Sequence, residues 1–597
     1  MNKKVVILGG GVGGMSAAHE LIERDFQVEV YERLAIPGGK ARSMAVPTPH
    51  SPPWSTSAAK SKNSQKRPLP GEHGFRFFPG FYNHIIDTMK RIPYPNNKKG
   101  VLDNLVPATQ FGFTQFGKEP IILKAQLPWS LKGMIKQVRK MLGADVDIPR
   151  DEAEFFAKRV WQLMTSCEDR RLAEYEQLGW WEYLEAHSKS ADYQKFFAYG
   201  LTRTLVAAQA DLASTFTVGD IFLQLLFDAL DPTIDVDRLL DGPTNDVWIE
   251  PWLKYLKEAG VNYQLDAEVA KINCADGRIA SVTIKQNGKS REVTGDYFIS
   301  AMPVEAIAPL ISQEMLTIDP TLKGITKLAP NVEWMIGLQI YLKRDIKLVH
   351  GHLNHVDSKW ALTSISQRQF WADEFSFPDY GDGEVKGILS VDISDWETEG
   401  LNGKPALAST LDEIFEEVWK ELQLSMIKDG EQILKDEDVH SFHLDPHIFQ
   451  NDPDDPDPEK KHNDEPLLVN LINTWGIRPE AYTRIPNLFL ASDYVRTNTD
   501  LATMEGANEA ARRAVNSIID AAGAHVRRCK IWRLHEPRLL GFWRENDQVR
   551  FDKGLPWKEK ISLLIFLRPR FWYFFIEFLI LRLWVWTRKL WLKRSIT

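Results

Sequence analysis

The sequence predicts an α/β fold that opens with a strand–turn–helix–strand unit. The run "VVIL" at residues 5–8 leads into a glycine-rich turn, and apolar residues then recur at helical spacing as far as Ile22. "QVEVYE" at residues 27–32 alternates as a second strand. Near the other end of the chain, "LFLA" at residues 488–491 and an alanine-rich stretch from Met504 repeat the order of strand and helix. Alternation of strands with helices favours a parallel sheet and hence an α/β fold.

The glycine-rich turn has the spacing of a Rossmann-type dinucleotide-binding loop. Gly9, Gly11 and Gly14 form G-x-G-x-x-G between the strand and the helix. The first glycine permits the tight turn, the second lets the backbone approach a pyrophosphate, and the third lets helix and strand pack closely. Amides at residues 12–15 would face that pyrophosphate. Glu32, about 20 residues downstream, is placed to accept hydrogen bonds from a ribose. The alternative is a glycine turn with a purely structural role.

Composition restricts the class of protein. The chain has 597 residues, which favours two or three structural units, and a net charge of -8, which argues against a general polyanion or nucleic-acid binder. Cys167, Cys274 and Cys529 lie far apart and form no CxxC, so a reducing compartment fits. Lys3 and Lys4 before an apolar run resemble a secretory signal, but we interpret that run as the first buried strand.

A second glycine pair follows Glu32 directly. "RLAIPGGKARS" contains Gly38, Gly39, Lys40 and Arg42, and a second loop of close approach indicates a ligand that extends along the protein. These motifs resemble the flavin-dependent amine oxidase and phytoene desaturase superfamily, whose members carry a second glycine motif with an arginine after the ribose-binding glutamate. The resemblance implies FAD rather than NAD as the cofactor.

The C-terminal third carries a segment that fits the same resemblance. In "PNLFLASDYVRTNTDLATMEGANEAARRAVNSIID", a buried strand delivers Asp493 and a helix begins at Met504 and Glu505. A helix N-terminus directed at a flavin would stabilise the negative charge of its reduced ring. In the superfamily a glycine usually precedes the aspartate, whereas this chain has Ser492. The alternative is a last strand and helix that only complete the sheet.

The resemblance also implies a discontinuous domain organisation. "EPWLKYLKEAGVNYQLDAEVAKINCADGRIASVTI" would re-enter the flavin domain, with the backbone of Val269 against the adenine, and "DYFISAMPVEAI" would close that unit. We therefore expect a Rossmann-type FAD domain of the GR2 kind, interleaved with an α+β substrate domain and followed by C-terminal amphipathic helices. The expected ranges are 1–45, 245–305 and 465–525 for the FAD domain, 71–244 and 306–464 for the substrate domain, 46–70 for a flexible insertion, and 526–597 for a C-terminal membrane-association segment.

An aromatic loop, "LPGEHGFRFFPGFYNH" at residues 69–84, resembles the phytoene desaturase-type segment that approaches the flavin. By that resemblance Glu72 to Phe77 lie near the isoalloxazine ring, and His73 and Arg76 are the candidates for orienting or protonating roles. An aromatic corner of the core is the alternative. We expect no metal site, because His73 and His84 have no further ligand at suitable spacing.

The candidate site residues follow from these motifs. The expected cofactor-binding residues are Gly9, Gly11, Val12, Gly13, Gly14, Glu32, Arg33, Gly38, Gly39, Lys40, Arg42, Gly74, Phe75, Arg76, Val269, Asp493, Met504 and Glu505. The substrate pocket is assigned to aromatic residues, because tryptophan is abundant; they are Phe77, Phe78, Trp248, Trp371 and Trp475. The sequence has no G-x-S-x-G, H-E-x-x-H or P-loop motif, so hydrolase and NTP chemistry are unsupported.

The last 37 residues differ in composition from the rest of the chain. In "ISLLIFLRPRFWYFFIEFLILRLWVWTRKLWLKRSIT", Glu577 is the one acid among seven basic residues, and tryptophans alternate with aliphatic residues. Each apolar run is shorter than the roughly 18–20 residues that span a bilayer. Such a segment suits a helix that lies in the headgroup region, so we expect a cytoplasmic protein bound peripherally to a membrane. The alternative is an amphipathic helix that docks on this protein or on a second subunit.

The resemblance implies hydride transfer between a substrate carbon and flavin N5. The aromatic loop and the apolar tail favour an apolar lipid, an isoprenoid or polyene, as substrate of a desaturase, isomerase or dehydroxylase, with a quinone or oxygen as electron acceptor. One alternative is a flavin amine oxidase, which needs an aromatic cage and often a lysine near N5. Another is a non-enzymatic lipid-binding protein of the same fold, as in Rab GDP-dissociation inhibitors. Glu32, Arg42 and Asp493 argue against that last alternative.

Overall fold

A computed structural model gives the fold of the protein. It describes residues 3–55, 66–74, 76–126, 148–200, 202, 209–231, 233–445, 450–451, 461–560, 572 and 576. The α-helices are Val12–Ile22, His84–Met89, Arg150–Thr165, Glu168–Arg170, Trp180–Tyr183, Ala191–Tyr193, Thr215–Leu230, Glu250–Glu258, Val304–Ile307, Gln313–Ile318, Lys323–Leu328, Leu411–Ser425, Met504–Ala521 and Gly541–Phe551. Segments of π-helix are Arg171–Tyr175, Gln194–Tyr199 and Asn245–Ile249.

A parallel sheet forms the centre of the first domain. Within the described residues it has five strands, in the order Leu488–Leu490, Tyr297–Ser300, Lys4–Leu8, Gln27–Tyr31 and Asn262–Gln264. Every neighbouring pair is parallel. The strand Lys4–Leu8 is apolar over most of its length because both faces of such a sheet are covered. All of these strands come from the three ranges expected for the FAD domain, which confirms an α/β architecture.

The helices Val12–Ile22 and Met504–Ala521 pack against each other beside this sheet. Their contact includes a buried hydrogen bond, in which Asn508 Nδ2 donates to Ser16 Oγ at 2.8 Å. On the other side of the first helix, Trp252 Nε1 donates to His19 Nδ1 at 3.0 Å and ties the helix Glu250–Glu258 to it. An antiparallel sheet follows the edge strand; its members are Ala267–Ala275, Arg278–Gln286 and Lys289–Val293.

The second domain is built on a mixed sheet. In the described part of the chain this sheet has seven strands, in the order Val439–Leu444, Ile336–Leu342, Gly387–Ile393, Thr363–Ser366, Leu353–His355, Gln110–Thr114 and Ile121–Lys124. The helix Leu411–Ser425 covers one face and is fixed by a capping box between Thr410 and Glu413. Phe415 and Phe442 stack at 4.2 Å in the core between them.

Short strand pairs connect these units. Ser43–Val46 pairs antiparallel with Leu69–Glu72, so the expected insertion at 46–70 leaves the fold through a two-stranded ribbon. The other pairs are Leu105–Pro107 with Arg238–Leu240, Val332–Glu333 with Leu467–Leu468, Ile427–Lys428 with Glu431–Gln432, and Gln450–Asn451 with Lys461–His462. The flexible insertion was expected over residues 46–70, and residues 56–65 of this range lie outside the described residues.

The range 526–597 divides into two parts. Residues 526–560 pack on the body of the protein: Asp547 is 3% exposed and accepts from Arg170 Nε at 2.9 Å. The expected amphipathic helices at 561–597 lie outside the described residues, apart from Trp572 and Ile576. Within the described residues, we find no helix with the length and hydropathy that a membrane span requires.

Candidate functional site

A cavity of about 790 Å³ lies at the carboxyl ends of the parallel strands. Gly9, Glu32, Ala301 and Asp493 follow four different strands of this sheet, and all of them line the cavity. Three strand spacings separate Glu32 from Asp493, which is roughly 14 Å. Open α/β sheets bind their ligands at this edge. The cavity therefore suits a long, extended ligand.

Most of the predicted cofactor residues line this cavity. They are Gly9, Gly11, Val12, Gly13, Glu32, Arg33, Gly38, Gly39, Lys40, Gly74, Arg76, Val269, Asp493 and Met504. The candidates His73 and Phe77 line it as well. Residues separated by nearly 500 positions in the sequence thus meet around one volume.

The glycines of the first motif have three separate structural roles. Gly9 has a φ of +104°, a backbone conformation that residues other than glycine rarely adopt. A Cβ on Gly11 would be in ordinary van der Waals contact with Gly39, at 3.6 Å from its Cα, so the protein leaves room for a methyl group at this point of the cavity lining. A Cβ on Gly14 would lie 2.0 Å from the Gly9 carbonyl oxygen. Gly14 therefore serves helix–strand packing, and the structure places it outside the cavity lining.

The second glycine pair continues the surface of the first loop. Gly38 N donates to Gly10 O at 3.3 Å, and Gly38 and Gly39 have φ values of +103° and +56°. A Cβ on Gly39 would lie 2.9 Å from Gly11 Cα. The two loops are thus in backbone contact, and bulkier residues would separate them. This cradle fits the phosphates of a dinucleotide.

Glu32 is held at one end of the cavity by backbone amides. Its carboxylate accepts from Gly10 N at 2.7 Å and from Leu34 N at 2.9 Å. Burial raises the pKa of Glu32, while these two amide bonds and the nearby Arg33 oppose that shift. The carboxylate is fixed where a ribose would follow the glycine loop, and Val269 lies in the same cavity from the strand beyond. These features suit an adenosine, and we refer to this end of the candidate site as the adenosine end.

The other end contains the N-terminus of a long helix. Met504–Ala521 has 18 residues, and the Thr503 side chain caps it by accepting from Gly506 N at 3.1 Å. Thr503 and Met504 line the cavity together with Asp493. The positive end of the helix dipole therefore faces the space where a flavin ring would lie.

Glu505 has a different role from the predicted one. It is 2% exposed and accepts from Asn83 N, His84 N and Ile85 N at 2.8, 2.8 and 2.9 Å. His84 Nδ1 lies 2.6 Å from the same carboxylate, and His84 Nε2 accepts from Trp532 N at 2.9 Å, which assigns the imidazole proton to Nδ1. Glu505 thus caps the helix that begins at His84 and joins the aromatic loop to the helix at the flavin end.

Arg42 also lies outside the cavity lining. It is 1% exposed and forms ion pairs with Asp445, at 2.9 Å, and with Glu465. His73 Nδ1 lies 3.4 Å from Asp445 Oδ2, and burial lowers the pKa of His73. His73, Asp445 and Glu465 are close enough to hold a metal ion, but the Arg42 guanidinium already supplies the positive charge between the two acids. Arg42 therefore neutralises two buried acids next to the site and does not itself line the cavity.

Arg76 connects the aromatic loop to the second glycine loop. Its Nη1 donates to Gly74 O at 2.7 Å, and its Nη2 donates to Lys40 O. The side chain lines the cavity between two acids, Glu72 and Asp392, which favour its charged form against the effect of burial. Lys40 in turn pairs with Glu305 at 2.9 Å.

The remaining aromatic candidates lie elsewhere. Phe78 and Trp248 are fully buried and meet edge to face at 5.4 Å, so they form core rather than cavity wall. Trp475 lies under Arg496, whose Cζ is 4.2 Å from the ring centroid. Trp371 lines a separate, smaller cavity. Phe75 lies outside the described residues.

An apolar cavity wall was missed in the sequence. One face of the helix Thr215–Leu230 lines the cavity; the residues are Thr217, Val218, Ile221, Phe222 and Leu225. Their i, i+4 and i+7 spacing was visible in "TFTVGDIFLQLLFDAL", but the same spacing also fits a helix buried in the core. Apolar residues from two other segments complete this wall: Met302, Pro303, Ala306, Pro309, Leu310, Leu467, Leu468 and Val469.

The two glycines of the first motif predict different phenotypes. We expect Gly11→Ala to fold normally and to purify with much less flavin, because the added methyl group enters the ligand space. Gly14→Ala should lower the yield of folded protein, because its methyl group would overlap the Gly9 carbonyl. Circular dichroism and flavin content of the purified proteins check this. Full flavin content in Gly11→Ala would contradict the assignment of the cradle.

Arg42 predicts a loss of stability. Arg42→Leu leaves Asp445 and Glu465 buried without their cation, which we expect to cost about 3–5 kcal/mol of unfolding free energy. The control is Arg528→Leu, which removes an exposed ion pair with Asp520 and should cost about 1 kcal/mol or less. Urea unfolding measures both. If Arg42→Leu unfolds like the wild type but purifies without flavin, the result would support a cofactor-binding role for Arg42 instead of a structural one.

Comparisons with known proteins agree with this geometry. The sequence model of the flavin-containing amine oxidoreductases matches residues 12–519. An oxidoreductase from Methanosarcina mazei shares 16% identity at a TM-score of 0.55, with 87% of this chain and 100% of that chain covered. A putative protoporphyrinogen oxidase from Exiguobacterium sp. 255-15 shares 16% identity at 0.54, with 87% and 99% covered.

Amine oxidases have the same fold. Cyclohexylamine oxidase from Brevibacterium oxydans IH-35A aligns at a TM-score of 0.53 with 12% identity, covering 88% of this chain and 100% of that one. No curated protein sequence gives a significant match. The match to the family extends over well more than half of the 597 residues, and the cavity geometry fits its cofactor. The chain belongs to the flavin-containing amine oxidoreductase family and is an FAD-dependent oxidoreductase.

Proposed function

We propose that the substrate of this oxidoreductase is an apolar lipid, an isoprenoid or polyene, which exchanges a hydride with flavin N5. The observation that supports this most directly is the apolar wall of the cavity. Val218, Ile221, Phe222 and Leu225 project from one helix into the same volume as the flavin-end residues. An apolar molecule gains roughly 25 cal/mol for each Å² that such a wall removes from water.

The charges of the cavity argue against a cationic amine as substrate. Two acids of its lining have cations from the protein: Glu305 pairs with Lys40, and Glu465 pairs with Arg42. Asp392 lies beside Arg76 and favours its charged form. An amine would compete with these built-in cations for each carboxylate. This favours a neutral substrate.

The positions of the lysines also argue against an amine substrate. Among the described residues that line the cavity, the lysines are Lys40 and Lys285. Lys40 is bound to Glu305 and to Pro466 O, and Lys285 lies on the strand beside Val269, at the adenosine end. The lysine near N5 that is frequent in amine oxidases therefore has no candidate in the described lining.

The protein supplies position, exclusion of water and electrostatics. Bound FAD supplies the group that accepts or donates the hydride. The helix that begins at Met504 directs its positive end at the flavin position, which favours the reduced cofactor. Arg76 and His73 lie at the cavity wall, where we assign them the orientation of the substrate. Either a quinone or oxygen would then receive the electrons.

Substrate delivery from a membrane fits the position of the C-terminal segment. Trp557 Nε1 donates to Thr165 Oγ1 at 3.1 Å, shortly before the basic and aromatic residues 561–597. The helix Arg150–Thr165, which receives this contact, packs on the helix Thr215–Leu230 that lines the apolar wall. A chain anchored there in the headgroup region would bring the apolar end of the cavity close to the bilayer.

A charged residue on the apolar wall tests the proposal. We expect Ile221→Lys to retain flavin but to lose roughly tenfold or more in kcat/KM for squalene- or phytoene-like substrates, since about 1.4 kcal/mol of lost contact is a factor of ten. Leu230→Lys is the control, because Leu230 is 37% exposed on the same helix and lies outside the cavity lining.

Delivery from a membrane is tested with vesicles. Substrate in anionic vesicles should be converted faster than substrate in neutral vesicles. Turnover of soluble amines alone would refute the proposal.

A further inference from the structure

A second, small cavity lies behind Arg76. Its volume is about 20 Å³, and it is lined by Glu72, Thr244, Gln367 and Trp371 together with Arg76. Arg76 also lines the large cavity, as does Asp392. Arg76 therefore lines both the flavin cavity and a pocket that contains a buried carboxyl group.

The small cavity has the size and polarity of a water site. A volume of about 10–15 Å³ on this measure is enough for one water, provided that two to four polar groups are in reach. Gln367 is 8% exposed, and its Oε1 has no hydrogen-bond partner among the described residues. Glu72 and Thr244 contribute further polar atoms. Such a water would be a partner with which the Glu72 carboxyl group exchanges protons.

The carboxyl group of Glu72 is buried, and burial disfavours its ionised form. Thr244 donates to its carboxylate from the backbone N at 3.1 Å and from Oγ1 at 2.9 Å. Arg76 favours its charged form, while Asp246 disfavours it. Burial dominates and raises the pKa of Glu72 to about 7. Glu72 therefore titrates close to neutral pH.

Two further titratable groups near Glu72 stay neutral in this range. Tyr341, on the strand that packs against Leu69–Glu72, donates its hydroxyl to Pro70 O, and burial raises its pKa far above neutrality. The ring of His443 lies beside Gly71, and burial lowers its pKa to about 4. The charged groups that act on Glu72 and Arg76 include each other, Asp246, Asp392, Arg42 and Glu465.

We propose that Glu72 takes up a proton when the cofactor in the large cavity is reduced, and that it acts through Arg76. Reduction adds negative charge to the cofactor in the cavity that Arg76 lines, and an ionised Glu72 holds negative charge that interacts with the same guanidinium. Both compete for the same cation, so each disfavours the other. Uptake of one proton from solvent by the Glu72 carboxylate removes this conflict. The proposal rests on the FAD cofactor and is independent of the substrate.

Linkage gives the sign of the effect. If reduction raises the proton affinity of Glu72, protonation of Glu72 must make reduction more favourable by the same free energy. Well below its pKa Glu72 is neutral in both redox states, so the coupling is silent. Well above that pKa the ionised carboxylate lowers the reduction potential until a proton binds.

Potentiometric titration of the flavin in Glu72→Gln tests the proposal. At about pH 6 the variant and the wild type should have the same midpoint potential, and at about pH 8 the variant should be more positive, because glutamine mimics the protonated acid. Glu72→Asp keeps an ionisable group and should retain a pH-dependent difference from Glu72→Gln. The control is Glu421→Gln: Glu421 is also buried with a pKa raised to about 7, but it lines neither cavity.

Each outcome of this titration is decisive. Curves for Glu72→Gln and wild type that converge at low pH and separate at high pH support the proposal. Parallel or coincident curves overturn it, and so does an equal change in Glu421→Gln. If Glu72→Gln does not fold, proton uptake is measured with an indicator dye during reduction of the wild type. Uptake that is the same at about pH 6 and about pH 8, after correction for free FAD, also overturns the proposal.

Discussion

The contact between the two ends of the chain is the constraint on which the rest of the site depends. A Cβ on Gly13 would lie 2.3 Å from the carbonyl oxygen of Ala491, so the first helix and the last strand touch through their backbones. In the sheet of the described residues, Tyr297–Ser300 lies between Lys4–Leu8 and Leu488–Leu490 and pairs with both. The cavity exists because three distant segments complete one sheet, and its glycines allow the close approach that places Glu32 and Asp493 at opposite ends.

Buried charges secure the loops around that cavity. Arg42 pairs with two acids from distant segments, Asp445 and Glu465, and Glu505 accepts from the amides at the start of the helix His84–Met89. In both cases a side chain next to a cofactor motif binds protein rather than cofactor. Removal of either group would leave buried charge or buried amides without a partner, which is costly in a medium of low polarity. The site is therefore rigid at its phosphate end and apolar at its substrate end.

The sequence predicted much of the cofactor site but little of the substrate site. Glycine spacing and a strand-ending acid have local physical causes, so Gly9, Gly11 and Glu32 were found, and the resemblance supplied Val269 and Asp493. Arg42 and Glu505 stand in the same motifs, yet the residues that bind them, Asp445 and Asn83 to Ile85, come from distant segments. No local pattern encodes such partners.

The apolar wall of the cavity also could not be predicted from local sequence patterns. Helical spacing in Thr215–Leu230 reveals an apolar face but not what that face meets, which is core for Leu223 and cavity for Ile221. Tryptophans were expected to line the pocket because they are numerous. Trp248 instead fills the core, since a large buried ring gains more from close packing than from a cavity edge. Tertiary packing decides these assignments.

The most direct test of the account is the absorbance spectrum of the purified full-length protein, followed by mass spectrometry of the compounds that denaturation releases. We expect a flavin spectrum and about one FAD per chain, since the two ends of the chain form a cavity that suits a dinucleotide. A colourless protein that releases only lipid would contradict it, because the same cavity would then serve a carrier rather than an oxidoreductase.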